Sequence, residues 1–417
     1  MQPLSRLIGL GFIALCAVAV ALKVLVPLPG LAGYAPVDLG FGARATPVEL
    51  VLWHSAEKRA WLEEAARRFE AGEPAVGARP ITVRLVSLGS REIAERVARR
   101  DWGASPPPAA ISPASSVWVE QLRAEWAAGN GGAAVISGAA PPLALSPLVA
   151  VAWEERARLL WPEGGDFWRD LGDAVAADGG WAEVAEARGF GPGTPEHGRA
   201  AGWGFVKLGH ASPLTANSGA QALTLLAYAY HDKTGGLTTA DIADPGFQAW
   251  LEAVEGSTLD FGASTGGLMT SMAQFGPSRF DAVLVYESLA IAGAEAARAR
   301  WGQPLQVVYP PATMVSDHPY AILDAPLTDA DQRAAAERFR AFLLAEPAQA
   351  LALQHGFRPA LARVPVADGG ADNPFTRMAP YGVRVDFGAQ VETPPAEVTR
   401  ALIELWARRI EPLTLRP

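Results

Sequence analysis

Serines stand at several points of the sequence where a short apolar stretch gives way to a helical pattern. Ser55, Ser90 and either Ser115 or Ser116 each follow a strand-like stretch, and Ser218 stands at the start of a later, strongly apolar helix. A helix N-terminus offers unpaired N–H donors and a partial positive charge, so a serine there can divide its hydroxyl between capping and holding a ligand. Because four such helix starts fall at strand ends, the pattern predicts a ligand crevice.

Two other patterns are typical of a serine that does covalent chemistry. Ser55 and Lys58 form a Ser-x-x-Lys at a helix start, and Lys-Thr-Gly occurs at 233–235, as in penicillin-binding enzymes. The Ser-x-Asn or Tyr-x-Asn element of those enzymes is missing, and residues 233–235 are predicted to lie in a polar loop. Ser264 lies in a Gly-x-Ser-x-Gly pattern, but a poor strand precedes it, whereas a nucleophile elbow requires a good one. Acyl transfer by Ser55 and Lys58 is the less favoured alternative.

Composition excludes several other classes of site. The six histidines have no metal-ligand spacing, and a single cysteine excludes a disulfide framework and any cysteine-based metal site. No phosphate-binding glycine loop is present, so no cofactor is expected. The net charge of -9, with no extended run of Lys and Arg, argues against a nucleic-acid partner. The hydrophobic share of 50% excludes general disorder.

The first 35 residues predict export. Residues 7–22 form an uninterrupted apolar run between Arg6 and Lys23, without an acidic residue. This segment is either a signal peptide, with a small-x-small cleavage site at 33–35, or a retained signal anchor that spans the membrane. We expect the chain to lie outside the cytoplasm, tethered to the cytoplasmic membrane by this N-terminal hydrophobic helix.

The serines need a scaffold of strands and helices to bring them together. From residue 48 onward, short β-branched runs alternate with amphipathic stretches, which is typical of an α/β fold. Strands are predicted at 48–53, 81–86, 109–111, 143–153, 203–208, 282–286 and 318–323. The Trp-, Gly- and Pro-rich region at 161–202 is predicted to form loops and short helices, and a final helix carries Val398, Leu402, Leu405 and Trp406 on its inner face.

The succession of segments over residues 47–360 resembles a family. The matching milestones are Ser55, Ser90, Ala110-Ile111-Ser112, Val117-Trp118-Val119, Leu145 to Val151, Ala216-Asn217-Ser218-Gly219-Ala220, Val285-Tyr286-Glu287-Ser288, His318 to Ile322 and Ala350 to Phe357. They resemble bacterial extracytoplasmic solute-binding proteins, above all the molybdate-binding-like branch. The sequence is also similar to substrate-binding modules found beside von Willebrand A domains, although it has no Asp-x-Ser-x-Ser motif of such a domain.

The resemblance implies a two-lobed, type II periplasmic-binding-protein-like fold that closes on its ligand like a hinged clamp. Two crossover strands, at 143–153 and about 307–323, would join the lobes. Residues 47–143 with 318–417 would then form lobe one, and residues 144–317 lobe two.

The resemblance also implies which residues bind the ligand. Ser55 and Ser90 match the hydroxyl contacts of lobe one, Asn217 and Ser218 the helix start of lobe two, and Tyr286 the tyrosine that reaches the ligand. The full set of candidates is Ser55, Ser90, Ser115, Ser146, Asn217, Ser218, Tyr286 and Glu287. Glu287 departs from the family, because a carboxylate in the cleft would repel an oxyanion and favour a cationic ligand. Alternatively, Glu287 only stabilises the first turn of its own helix.

These observations predict a binding protein that performs no chemistry, captures an oxyanion or another small polar solute, and delivers it to an ABC-type membrane transporter. The main alternative is a membrane-anchored sensor or assembly protein of the cell envelope that uses the same fold to bind another protein.

Overall fold

Two mixed β-sheets, each covered by helices, frame the protein, whose computed structural model describes residues 46–258, 261–367 and 369–414. The N-terminal hydrophobic helix predicted within residues 1–35 lies outside the described residues. Among the described residues, no helix is long and apolar enough to span a bilayer. The strands are β1 (Val48–Ser55), β2 (Ala75–Val76), β3 (Arg79–Leu88), β4 (Ala110–Ser112), β5 (Ala144–Trp153), β6 (Leu208–His210), β7 (Ala282–Tyr286), β8 (Leu305–Val308), β9 (Ala312–Thr313), β10 (Val315–Ser316), β11 (Ala321–Ile322), β12 (Arg358–Pro359) and β13 (Ala389–Gln390).

The helices lie between these strands, as expected for an α/β fold. They are α1 (Arg59–Ala71), α2 (Ser90–Arg99), α3 (Ser116–Gly129), α4 (Glu154–Leu160), α5 (Phe167–Ala176), α6 (Trp181–Ala187), α7 (Pro195–Ala201), α8 (Asn217–Tyr230), α9 (Thr239–Ala243), α10 (Pro245–Gly256), α11 (Thr265–Phe275), α12 (Glu287–Trp301), α13 (Ala330–Leu343), α14 (Glu346–Gln354), α15 (Pro374–Met378), α16 (Ala396–Arg409) and α17 (Glu411–Thr414). Short 3-10 turns occur at Ala56–Lys58, Gly276–Ser278 and Ala379–Tyr381.

The first sheet has the strand order β11-β4-β1-β3-β2. Its central strand β1 pairs in parallel with β3 and β4, since a helix follows each of the strands β1 and β3 and returns the chain to the same end of the sheet. Alternate residues of β1 enter two different cores: Leu50 and Leu52 pack on one face, Val51 and Trp53 on the other. Burial on both faces explains the uninterrupted apolar run of this strand.

The second sheet is organised around the long strand β5. β7, β8, β10 and β12 pair with it in antiparallel fashion, and β6 pairs in parallel with β7. β9 and β13 form a separate two-stranded parallel ladder. The predicted apolar helix after β6 is confirmed as α8, and Glu287 lies in the first turn of α12, which follows β7.

Two antiparallel segments connect the sheets, as the two-lobed fold requires. Pro142 bridges to Pro319, and Ser146 lies opposite Ser316, so the chain crosses twice at the same place. The segments predicted as crossover strands therefore lie side by side where the chain passes between the sheets.

Two strand predictions were wrong in extent. Residues 203–207 are irregular, because Gly204 has a φ of 75°, and the strand begins only at Leu208, which pairs with Ala282. The strand predicted at 318–323 is reduced to β11, because His318 has a φ of 43° and Pro319 lacks an N–H for a ladder.

The C-terminal helix α16 buries the predicted inner face. Leu402 and Trp406 pack with Leu223 of α8 and Phe247 of α10 beside the second sheet. Ile403, on a neighbouring face of the same helix, joins the core around Trp118 of α3. α16 therefore contacts helices that belong to both sheets.

Candidate functional site

A cleft of about 480 Å³ lies where strands of both sheets end and the following helices begin. Its lining comes from five segments of chain: Ser55 at the end of β1 with Ala56, Glu57 and Arg59 after it, residues within 87–95 at the end of β3 and the start of α2, 214–217 at the start of α8, 263–265 at the start of α11, and Tyr286 at the end of β7. Two of the candidate serines, Ser55 and Ser90, therefore lie in one place, at the carboxyl ends of the strands.

Gly89 and Thr215 bring the two sides of the cleft into close approach. A Cβ atom on Gly89 would lie 2.5 Å from the backbone oxygen of Thr215, so no larger residue fits there without a backbone shift. Gly89 also precedes α2, and its N–H donates to the Glu92 carboxylate at 3.3 Å. Ser90 is therefore the first residue of α2 rather than its cap, and its Oγ accepts from the N–H of Ala114 at 3.0 Å.

Asn217 joins both sides of the cleft at the start of α8. Its Oδ1 accepts from the Trp118 indole at 2.6 Å, while its Nδ2 donates to the Tyr286 hydroxyl at 2.9 Å and to Ser316 at 3.2 Å. The side chain is buried and uses both ends of its amide. Burial and the negative charge of Glu57 raise the pKa of Tyr286, so its phenol stays neutral and can donate a hydrogen bond.

The N-terminus of helix α11 also lies at this cleft. Thr265 lines the cleft, and its Oγ1 lies 2.6 Å from the hydroxyl of the buried Ser218. Ser264 caps α11 by accepting from the N–H of Gly267 at 3.1 Å. Within the described residues only isolated bridges at Thr258 and Gly262 precede it, so Ser264 does not occupy a nucleophile elbow.

A buried charged cluster adjoins Ser55 and Glu57 of the cleft lining. The Lys58 ammonium is fully buried; it donates to Ser55 Oγ at 2.6 Å and to the Pro113 carbonyl at 3.1 Å, and lies 3.4 Å from Glu57. His318 Nδ1 lies 3.3 Å from both Lys58 Nζ and Glu57 Oε1. Ser55 in turn donates to Glu57.

These contacts fix the charges of the cluster. Burial lowers the pKa of Lys58 to about 8, against the attraction of the Glu57 carboxylate. Burial alone would raise the pKa of Glu57, but the Lys58 ammonium and His318 more than offset it, and the pKa falls below its usual range. Burial and the Lys58 ammonium lower the pKa of His318. At neutral pH the cluster therefore contains one ammonium, one carboxylate and a neutral imidazole.

The structure brings half of the predicted site residues into the cleft lining. Ser55, Ser90, Asn217 and Tyr286 line it, whereas Ser115, Ser146, Ser218 and Glu287 do not. The ligand-binding roles of all eight residues stay predictions.

The four residues outside the lining have other partners. Ser115 caps α3 through Val117, and Ser146 accepts from the N–H of Ser288 at 3.1 Å. Glu287 is fully buried and accepts two hydrogen bonds from Arg358 at 2.7 Å, with a further one from Tyr309. The condition for a cationic cleft ligand, Glu287 in the lining, is not met.

Sequence reasoning missed several residues of the site. His318 gave no signal, because it reaches Lys58 across 260 positions of the chain. Ser87, whose hydroxyl is buried and without a hydrogen-bond partner in the described structure, lies inside a strand rather than at a helix start. Thr265 could have been found, since it follows Ser264 at the start of an apolar helix. No group of three or more metal-ligating side chains occurs among the described residues.

Comparison with known proteins assigns the family. Residues 50–358 match the family of bacterial extracellular solute-binding proteins, and this match covers more than half of the chain. The protein therefore belongs to that family and is an extracellular solute-binding protein with the two-lobed fold predicted from the sequence. No curated protein matches it significantly.

Solved structures show the same fold at low sequence identity. The sulfate-binding protein SubI from Mycobacterium tuberculosis H37Rv is 18% identical with a TM-score of 0.51, over 88% of this chain and 98% of that one. A periplasmic thiamin binding protein is 11% identical with a TM-score of 0.57, over 90% and 98%. The substrate binding protein of the ABC transporter from Agrobacterium tumefaciens is 13% identical with a TM-score of 0.54, over 89% and 96%.

Proposed function

We propose that the protein captures a small anionic solute, such as an oxyanion or a carboxylate, in the cleft and delivers it to an ABC-type transporter. The observation that carries the proposal is the convergence of hydroxyl, amide and helix N-terminal groups from both sheets on one cavity. Such groups are mainly donors toward an anion. A cavity of about 480 Å³ lies within the usual range for small-molecule sites, roughly 300–1,000 Å³.

The charges of the lining support an anion over a cation. Each of the three carboxylates already has a cationic partner: Glu57 pairs with Lys58, Glu92 with Arg96 and Glu95 with Arg91. Arg59, which also lines the cleft, is exposed and has no ion-pair partner in the described part of the chain. One uncompensated guanidinium therefore remains for a ligand.

The contacts across the cleft support capture by closure. The Trp118–Asn217 hydrogen bond and the approach of Gly89 to Thr215 hold the two sides together. We propose that residues 47–143 with β11, α13 and α14 form one lobe and residues 144–317 with the segment from β12 to α16 the other, because β12 pairs with β5 and α16 packs on α8 and α10. Parting the lobes about the crossovers then admits and releases the solute. Closure then excludes water from the hydrogen bonds to the ligand.

The proposal includes a location and a mode of attachment. The family is extracellular, and residues 1–35 have the composition of an export segment. We propose that this segment is retained as the tether, so that the binding lobes stand at the outer face of the cytoplasmic membrane, close to a transporter.

Thermal unfolding of the full-length chain tests the proposal. We expect sulfate, phosphate, molybdate or a small carboxylate to raise the unfolding midpoint, because a ligand that binds only the native state stabilises it by ~2.7 kcal/mol at a hundredfold excess over Kd. Replacing both Ser55 and Ser87 by alanine should abolish the shift, while the exposed Ser137→Ala should retain it. A rise of the unfolding midpoint with polyamines and with no anion would refute the proposal of an anionic ligand. A flat response to all solutes would favour the envelope sensor or assembly role.

We also propose that Ser55 is not a nucleophile, although Lys58 lies within hydrogen-bond distance of it. A Ser–Lys pair needs a lysine that accepts the serine proton, whereas Lys58 donates to Ser55 Oγ and the Ser55 hydroxyl donates to Glu57, whose lowered pKa makes it a weak base. Incubation with a β-lactam at pH 7 should therefore give no adduct by intact-mass spectrometry. An acylated Ser55, located by peptide mapping, would establish the enzyme alternative.

A further inference from the structure

A second concave site of about 700 Å³ lies beside the second sheet, at a distance from the cleft. It is formed by α5, the last turn of α8 and α10, and it shares no lining residue with the cleft. α8 reaches both sites: Asn217 at its start lines the cleft, and Tyr230 at its end lines the second site. The 13 intervening steps at 1.5 Å each separate them by about 20 Å.

Aromatic rings form the wall of this second site. Trp168 of α5, Tyr230 of α8 and Trp250 of α10 all line it. The rings of Tyr230 and Trp250 lie 5.4 Å apart, and the Tyr230 ring is partly exposed. Aromatic faces carry negative charge density and attract cations that sit above them.

Acidic side chains stand among these rings. Asp166, Asp173 and Asp232 line the site together with one basic residue, Arg169. Asp166 is partly engaged, since it caps α5 by accepting from the N–H of Arg169 at 3.0 Å. Asp173 and Asp232 are exposed and have neither a side-chain hydrogen bond nor an ion pair in the described ranges. The lining thus has a net charge of about -2, counted at neutral pH.

The end of α8 adds to this field. Ala229 and Tyr230, the last residues of the helix, line the site, so the carbonyl end of the helix dipole lies beside it. A helix C-terminus carries a partial negative charge and stabilises cations. The aromatic wall, the carboxylates and the carbonyl end of α8 are three separate features, and each attracts a positively charged ligand.

We infer that this second site binds a small organic cation, such as a quaternary ammonium or an alkylamine. Rings and carboxylates together suit a ligand that has both an apolar body and a positive charge. An inorganic cation has the charge but lacks the apolar body. The helix α5 that forms one side belongs to the Trp-, Gly- and Pro-rich region at 161–202, and this gives that region a function separate from the cleft.

Calorimetric titration of the full-length chain with choline tests the inference. Choline should bind, and its uncharged isostere 3,3-dimethylbutan-1-ol should bind at least about tenfold more weakly, because only the charge differs. Trp250→Ala should weaken choline binding about tenfold or more. The matched control Trp301→Ala, which removes a partly exposed tryptophan outside the site, should leave the choline affinity unchanged.

A second variant separates loss of binding from loss of folding. Asp173→Asn combined with Asp232→Asn changes only exposed side chains, and we expect an unchanged unfolding midpoint with about tenfold weaker choline binding. The cleft variant Ser55→Ala with Ser87→Ala should bind choline normally. Absence of binding to the native protein, equal affinity for the neutral isostere, or loss of choline binding in the cleft variant would each overturn the inference.

Discussion

Replacing Lys58 by methionine should destabilise the protein strongly. The ammonium is fully buried and has Ser55, the Pro113 carbonyl and Glu57 around it. Methionine fills a similar volume but offers no charge and no donor. The variant therefore leaves the Glu57 carboxylate nearly buried, with only Ser55 and His318 as polar partners.

The magnitude follows from the geometry of the pair. Opposite charges 3.4 Å apart attract by about 5 kcal/mol at an effective dielectric constant of about 20. Removing one partner of a buried pair costs about 3–5 kcal/mol in general, since the remaining charge keeps its desolvation penalty. We expect the free energy of unfolding to fall by this amount. Glu57→Gln in the Lys58→Met background should recover most of it, because the orphaned charge is removed.

Urea unfolding followed by far-UV circular dichroism at pH 7 measures the effect. The control is Arg59→Met, a neighbouring residue whose guanidinium is exposed and lacks an ion-pair partner in the described structure; it should change stability by about 0.5 kcal/mol or less. The depressed pKa of Glu57 adds a pH signature. Its stabilisation is complete above the unfolded value of 4.5 and is lost as the pH falls, so wild type and Lys58→Met should converge in acid.

A Lys58→Met protein whose free energy of unfolding lies within about 1 kcal/mol of the wild-type value would refute the reasoning. It would mean that water or a rearranged backbone satisfies Glu57 without the ammonium. A double variant no more stable than Lys58→Met would show instead that the lost lysine packing, rather than the charge, accounts for the loss.

Two further pairs give predictions for the same urea assay. Arg358→Met should cost about 3–5 kcal/mol, because it orphans the buried Glu287, and the exposed pair partner Arg363→Met should cost no more than about 1 kcal/mol; equal losses would refute this. Burial would lower the pKa of His210, but the Glu255 carboxylate raises it more. This stabilisation is complete below pH 6.5 and is lost as the pH rises, so the free energies of unfolding of Glu255→Gln and wild type should be most similar at alkaline pH. A difference between them that does not change with pH would contradict this prediction.

The sequence predicted the architecture well where the signal was local. The apolar run of β1 and the apolar helix α8, which begins at Asn217, are patterns of neighbouring residues, and each is confirmed. The predicted strand limits were wrong where backbone conformation or pairing with a distant segment of the chain sets the limit. The positive φ of His318 shortened β11, and the start of β6 depended on pairing with Ala282. The resemblance to modules beside von Willebrand A domains stays a prediction.

For the site, the sequence determined which residue types stand at helix starts, since capping and strand ends are local properties. Ser55 and Ser90, predicted from these patterns, line the same cleft, together with Asn217, which the family resemblance implied. Only the tertiary structure decided the electrostatics. Glu287 pairs with Arg358 across 71 positions, and Lys58 meets His318 across 260, because strands distant in the chain lie side by side in the fold. Charge pairing at such separations has no periodic signature, and so it is the packed protein that sets the charge of the cleft.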